Sequence, residues 1–174
     1  MTRNRSPGSP ARRSSEMDAV SYEVLVSTVL PRQLAAVRRS VRRSQISAVI
    51  RDELGVVWRF LAEHKVRSTG HNVAVYLGAS DGGPDPILDV WFGVEVHEVI
   101  PASEDVVATS TPIGPVASTI HWGEYSAIGA AHDAVRAWCQ ANGRRTTGVC
   151  WEVYGDWFDD WAKVRTDVYY LLAG

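Results

Sequence analysis

No apolar run in this 174-residue chain approaches the about 18 residues that a membrane-spanning helix needs, so none is expected. The N-terminus also lacks the apolar stretch of a signal peptide. Cysteine is scarce: Cys139 and Cys150 are the only two, too few for a disulfide framework or a zinc site, and they fit a reduced cytoplasmic protein. There is no large excess of charge of either sign. A net charge of −2 argues against a protein that holds nucleic acid by blanket attraction to phosphates, so no direct nucleic-acid binding is expected. No Ser/His/Asp triad spacing and no glycine-rich phosphate loop stands out. Glu95, His97 and Glu98 alternate along a strand end, which is weak as a ligand set, and neither a metal nor another cofactor is expected.

What is present is an ordinary globular balance, 45% hydrophobic and 22% charged, enough for one domain with a sizeable core. Tryptophan is plentiful, seven residues in all. Trp122, Trp138, Trp151, Trp157 and Trp161 crowd the second half, either as core filling or as walls for a flat organic ligand.

Residues 1–18 read as a disordered basic tail, with Arg3, Arg5, Arg12 and Arg13 set among Ser, Pro and Gly. The folded part is expected over 19–174. Two extended runs from Val20 to Val41 flank Pro31 and suggest a hairpin. A helix is predicted from about Gln45 to His64, because Ile46, Val49, Ile50, Leu54, Val57, Trp58 and Leu61 form one apolar stripe. Strands follow at Val73–Leu77 and Ile87–Val96, around a turn-rich loop over Gly78–Pro86. The order then repeats, with a strand at Val116–His121, a helix at about Ser126–Ala141, and strands at Val149–Tyr154 and Val168–Leu172. A shift of 78 residues lays Thr69-Gly70 on Thr147-Gly148, Val75-Tyr76 on Val153-Tyr154, and Ala74 on Glu152. The pattern is that of an α+β chain of two duplicated strand–strand–helix–strand–strand units, about 20–100 and 101–173. A pseudo-twofold cleft between their antiparallel sheets is the expected ligand site.

The most informative stretch is Val149-Cys150-Trp151-Glu152-Val153-Tyr154, a strand carrying one carboxylate among apolar and aromatic neighbours. An ionised carboxylate taken from water is costly unless it is paired, so a bound cation or a moving proton is the natural partner of Glu152. A place on the wet face of a half-exposed sheet is the alternative. Alternation puts Cys150, Glu152 and Tyr154 on one face. Tyr125, just past Gly123, can approach from a strand end, and Trp91 and Tyr170 are candidates from neighbouring strands. The phase there is open by one residue, which leaves Phe92 and Tyr169 as substitutes. His121, beside the same turn, is a further candidate, with a structural hydrogen bond as the alternative. His97 and His132 read as surface or core-edge residues.

Gly114-Pro115-Val116-Ala117, His121-Trp122-Gly123-Glu124-Tyr125, Trp138 and Trp151-Glu152-Val153-Tyr154 together resemble the GyrI-like small-molecule-binding family, which includes effector-binding halves of multidrug-responsive transcription activators. Tyr76-Leu77-Gly78 and the run from Asp89 to Val96 resemble it in the first half. The resemblance implies a tandem α+β fold and binding of hydrophobic, often cationic, aromatic compounds against a buried Glu aligned with Glu152. From their placement, Tyr154, Tyr125, Trp91, Tyr170, Tyr76 and His121 are the expected ligand contacts around it. Some members look like hydrolases of cyclopropane-bearing toxins; in that case Glu152 would be the general base and Tyr125 or Tyr154 the acid. Others resemble gyrase inhibitors or protectors, which makes a protein partner such as gyrase a third reading. No helix-turn-helix or coiled coil precedes residue 20, so a stand-alone domain is expected. The segment Gly155–Val164, which mixes Trp157, Phe158 and Trp161 with three aspartates, departs from the family pattern.

Overall fold

The computed structural model of the chain describes residues 21–79 and 83–174. The basic tail at 1–18 and residues 80–82 of the turn-rich loop lie outside the described residues. In chain order the elements are β1 Leu25–Val29, β2 Gln33–Arg42, α1 Ile46–Glu63, β3 Ser68–Ala79, β4 Ile87–Val96, β5 Val107–Ser110, β6 Gly114–Trp122, α2 Ile128–Ala141, β7 Thr146–Tyr154 and β8 Arg165–Leu172. None of the described helices is long and apolar enough to cross a membrane.

The two runs flanking Pro31 are strands, but they do not form a hairpin. β1 pairs with β6, while β2 pairs with β4 and β5. The reason lies in the connection. Pro31 has no N–H to close a two-strand ladder, and the next residue is bound elsewhere. The Arg32 backbone N–H donates to Thr111 Oγ1 at 2.9 Å, and the Thr111 N–H donates to the Arg32 carbonyl at 3.0 Å. The chain is thereby drawn across to the far end of the sheet.

All eight strands form one antiparallel sheet in the order β1-β6-β8-β7-β3-β4-β2-β5. The order is symmetric about the β7–β3 junction, and each half lends its first strand to the other half. In the central ladder Ala74 faces Glu152, flanked by the pairs Val73–Val153 and Val75–Trp151. Under the 78-residue shift this ladder maps onto itself, so the pseudo-twofold axis passes through the Ala74–Glu152 pair. The helix ends obey the same shift. Val66 N–H bonds to Leu61 O at 2.9 Å, and its counterpart Arg144 N–H bonds to Cys139 O at 2.8 Å. Both helices close in a Schellman turn, with Lys65 and Gly143 at positive φ. β5, four residues at the sheet edge, has no sequence expectation behind it because it is too short to show a period.

Both helices lie on one face of the sheet. Leu54, Val57, Phe60 and Leu61 of α1 pack on Ala35, Val37, Phe92 and Val94, while Ala131, Val135 and Cys139 of α2 pack on Ala117, Val168 and Leu172. The opposite face has its own apolar layer, in which Leu34 and Ala36 of β2 join Val116 of β6, Val73, Val75 and Trp151. Strands far apart in the sheet order share that cluster, so the sheet curls around it.

Gly93, buried on β4 between Ala36 and Val73, is one point where this curl leaves no room. A Cβ there would come within 3.0 Å of both the Ala35 carbonyl oxygen and the Ala36 Cβ. Gly93→Ala is therefore expected to lose about 1–3 kcal/mol of stability. Thermal denaturation checks this, and a midpoint equal to the parent's would contradict it.

Candidate functional site

Glu152 lies on the helix-facing side of β7, 4% exposed, at the centre of the pseudo-symmetry. Burial of a carboxylate demands donors, and the sheet and α2 supply them. Tyr76 Oη donates to Glu152 Oε2 at 3.2 Å, and Tyr154 Oη donates a short bond to the same oxygen. These two phenols are pseudo-twofold mates under the 78-residue shift. His132 Nε2 meets Oε1 at 2.7 Å. Against a carboxylate, which only accepts, Nε2 is the donor of this contact. His132 Nδ1 meets Tyr170 Oη at 2.8 Å, and Arg136 Nη1 donates to that phenol oxygen at 2.9 Å. Arg136 is in turn ion-paired with Asp133. A continuous polar chain thus runs from the carboxylate out to the exposed side of α2.

The first half has no counterpart of this chain. The 78-residue shift places Leu54 where His132 stands and Ala74 where Glu152 stands. Ala74 pairs with Phe92, and Glu152 pairs with Val168, so Val94 takes the place of Tyr170. One half builds an apolar triad at these positions and the other a hydrogen-bonded one.

The phenols and the thiol around Glu152 are held in their neutral forms. Burial, reinforced by the Glu152 charge, pushes the phenols of Tyr76 and Tyr154 well above their ordinary value. Burial raises Tyr170 as well. The Cys150 thiol is pushed up to about 12 by burial first and the Glu152 charge second.

Above Glu152 opens a cleft of about 520 Å³ between α1 and the start of α2. Its α1 wall consists of Ile46, Ile50, Leu54 and Trp58 in one i,i+4 row, with Ser47, Arg51 and Gly55 in the next. Trp58 is fixed by its indole N–H, which donates to Asn72 Oδ1 at 2.8 Å. Gly55 is the unusual member. A Cβ added to it would meet nothing within 4 Å, so the missing side chain is cleft space. Arg51, at the rim, is exposed and screened by solvent. Tyr125 and Ile128 close the other side. Tyr125 lies edge-on to Tyr154, with ring centroids 5.5 Å apart, and edge-on to Trp161 at 5.8 Å. The departing segment Gly155–Val164 therefore supplies an aromatic rim in which Trp157 and Trp161 meet at 4.9 Å.

Of the residues singled out from sequence, the structure brings Glu152, Tyr154, Tyr76 and Tyr125 to the cleft. Tyr170 is on the same face but lies behind Glu152, bonded to His132. Trp91 is on the opposite face: it pairs with Val75, whose side chain points away from the helices, and directly opposed residues share a face. Phe92 has the facing proposed for Trp91 but is wholly buried in the α1 core, and Tyr169 stacks on Trp151 at 5.0 Å on the far side. His121 is 2% exposed and does not line the cleft. Tyr22 Oη bonds its Nδ1, and its Nε2 donates to the Glu124 carbonyl, both at 2.9 Å, so both ring nitrogens are spent structurally. Glu95 is buried against Arg32 at 2.8 Å, and Glu98 accepts from the Arg67 backbone. Among the described residues no group of three or more His, Cys, Asp or Glu is arranged to hold a metal ion.

His132, expected at the surface or core edge, instead sits half-buried between Glu152 and Tyr170 and bonds both. The signal was present in the sequence: Ile128, Ala131, His132, Val135 and Cys139 follow the inward stripe of α2, which places the imidazole over the sheet.

No family model matches the chain, and no curated protein matches it by sequence. Solved structures do. The C-terminal domain of EcmrR aligns with a TM-score of 0.71 at 17% identity, covering 87% of this chain and 98% of that one. The EcmrR chain in its complex with DNA aligns at 0.73, and 57% of its length is spanned. SAV2435 bound to tetraphenylphosphonium aligns at 0.62 with 12% identity, covering 87% and 94% of the two chains. A hydrolase from Listeria innocua aligns at 0.53 with 11% identity, covering 87% and 92%. At these identities the likeness is one of fold. The chain has the tandem α+β fold of the EcmrR C-terminal domain and of SAV2435.

The raised phenols and thiol generate a prediction for alkaline solution. Their folded-state values lie above the unfolded ones, so the stability they contribute is intact below about pH 8 to 10 and falls as pH rises toward the folded values. Each group adds a slope of about 1.4 kcal/mol per pH unit in that window. Urea titrations between about pH 9 and 11 should show a steep fall, shallower in the Tyr76→Phe/Tyr154→Phe double variant. Equal slopes in variant and parent would contradict the assignment.

Proposed function

We propose that the chain binds hydrophobic organic cations in the cleft between α1 and α2, against Glu152, as a cytoplasmic domain that senses or sequesters them. The single observation behind this reading is a carboxylate at the floor of an aromatic and aliphatic cleft. In such a setting a cation gains far more from a negative charge than it does in water. Contacts with the faces of Tyr76, Tyr154, Tyr125 and Trp58 would each add about 0.5–2 kcal/mol. The cleft volume of about 520 Å³ falls within the range that encloses drug-sized molecules. The fold shared with SAV2435, a protein seen with tetraphenylphosphonium, supports the same ligand class. Stacking surfaces tolerate many flat or propeller-shaped molecules, so selectivity is for charge and size rather than for one compound.

Thermal shift and calorimetry with tetraphenylphosphonium test the proposal. The parent is expected to be stabilised by the cation, and Glu152→Gln to lose at least about tenfold in affinity, a factor worth about 1.4 kcal/mol, while still binding neutral aromatics. Equal cation affinity in parent and variant would contradict it. Recovery of a chemically altered ligand after incubation would turn the reading to hydrolysis. A second variant separates binding from folding. Gly55→Leu replaces a mid-helix glycine by a good helix former, worth about 0.5–1 kcal/mol, and fills the open space at that position. It is expected to melt no lower than the parent and to bind the cation at least tenfold more weakly, as calorimetry would show.

A further inference from the structure

We infer that His132 determines which charge class of ligand the cleft accepts, because a cation enters in exchange for the imidazole proton. The inference rests on the cation-binding reading above and adds to it the residue that regulates it. The 2.7 Å contact between His132 Nε2 and Glu152 Oε1 persists in both protonation states of the ring, since Nε2 carries a proton in each. What changes is the charge of the pair. With a neutral imidazole the Glu152–His132 pair carries one negative charge, and with an imidazolium it carries none.

The other titratable and charged groups that face this pair lie on β3, β7, β8 and α2, with Arg51 of α1 and Tyr125 at the cleft rim. From β3 there is Tyr76, and from β7 there are Tyr154 and Cys150. From β8 there is Tyr170, and from α2 itself Arg136 and Asp133. The phenols are held protonated by burial, Cys150 is pushed up to about 12, and Arg136 stays charged at every ordinary pH. Among side chains it is imidazole that ordinarily changes charge between about pH 5 and 8.

An organic cation joins a site holding Glu152 carboxylate and His132 imidazolium. The imidazolium then gives up one proton from Nδ1, the nitrogen facing Tyr170, and that proton passes to solvent. The product is carboxylate, neutral imidazole and bound cation. Tyr170 Oη accepts from the ring before the exchange and donates to it afterwards, while its oxygen accepts from Arg136 Nη1 in both. While His132 is charged, cation affinity rises by up to about tenfold per pH unit, and it becomes flat once the ring is neutral. A neutral ligand of the same shape exchanges no proton and binds independently of pH.

Calorimetric titration of the whole chain between about pH 5.5 and 8, in buffers of different ionisation enthalpy, tests this with tetraphenylphosphonium and neutral triphenylphosphine oxide as probes. The expected result is release of up to one proton on binding the cation at the acidic end, and none with the neutral probe. His132→Gln retains an N–H for Glu152 but cannot be protonated; it should remove both the proton release and the pH slope. Proton release of zero for the cation at every pH in the parent overturns the inference, even if the variant fails to fold. A slope that persists in His132→Gln overturns it too. If neither probe binds at any pH, the cation-binding reading fails and the inference with it. Equal, pH-independent binding of the cation overturns the inference alone.

Discussion

A carboxylate removed from water at the middle of a sheet has to be answered by donors, and the second half of this protein is arranged around that requirement. Glu152 draws one phenol from its own strand, one from the adjoining β3 and an imidazole from the helix above, and each donor is itself positioned by a regular element. Tyr76 and Tyr154 reach one oxygen because the central ladder brings two pseudo-equivalent strands together. His132 reaches the other because the inward stripe of α2 passes directly over it. The cleft owes its floor to this cluster and its depth to the absence of a side chain at Gly55.

Duplication explains both the symmetry of the fold and the asymmetry of the site. Each half lends a strand to the other, which fuses the two into one sheet and fixes the axis at Ala74–Glu152. Equivalent positions then diverge. Leu54, Ala74 and Val94 form ordinary core in one half, where they add hydrophobic stabilisation and no chemistry. His132, Glu152 and Tyr170 occupy the same places in the other. An apolar core there would be simpler to stabilise, since a buried charge brings a desolvation penalty that hydrogen bonds only partly offset. Glu152 of that set lines an open cleft rather than a closed core, which is what supports the proposed binding role.

Much of this was legible in the sequence because it rests on period and repetition. The α1 stripe, the alternation Cys150/Glu152/Tyr154 and the 78-residue shift are one-dimensional signals, and they led to the helices, the face of Glu152 and its partner Ala74. What was not legible depended on long-range pairing. The path after Pro31 is decided by backbone bonds between Arg32 and Thr111, residues far apart in sequence. Trp91 and Phe92 differ by one step in phase, and only the register with Val75 settles which faces the helices. His132 stood in a readable stripe. Its meaning appears only once β7 and β8 place Glu152 and Tyr170 beneath it.

The proposed function turns on where a ligand's charge comes to rest. A crystal structure of the protein with tetraphenylphosphonium measures that directly. The phosphonium centre is expected between α1 and Tyr125, with its rings on Tyr76 and Tyr154 and its charge within about 6 Å of those ring centres and facing the Glu152 carboxylate. Density for the cation on the opposite face, against Trp151 and Tyr169, or held on Trp157 and Phe158 outside an empty cleft, would contradict it.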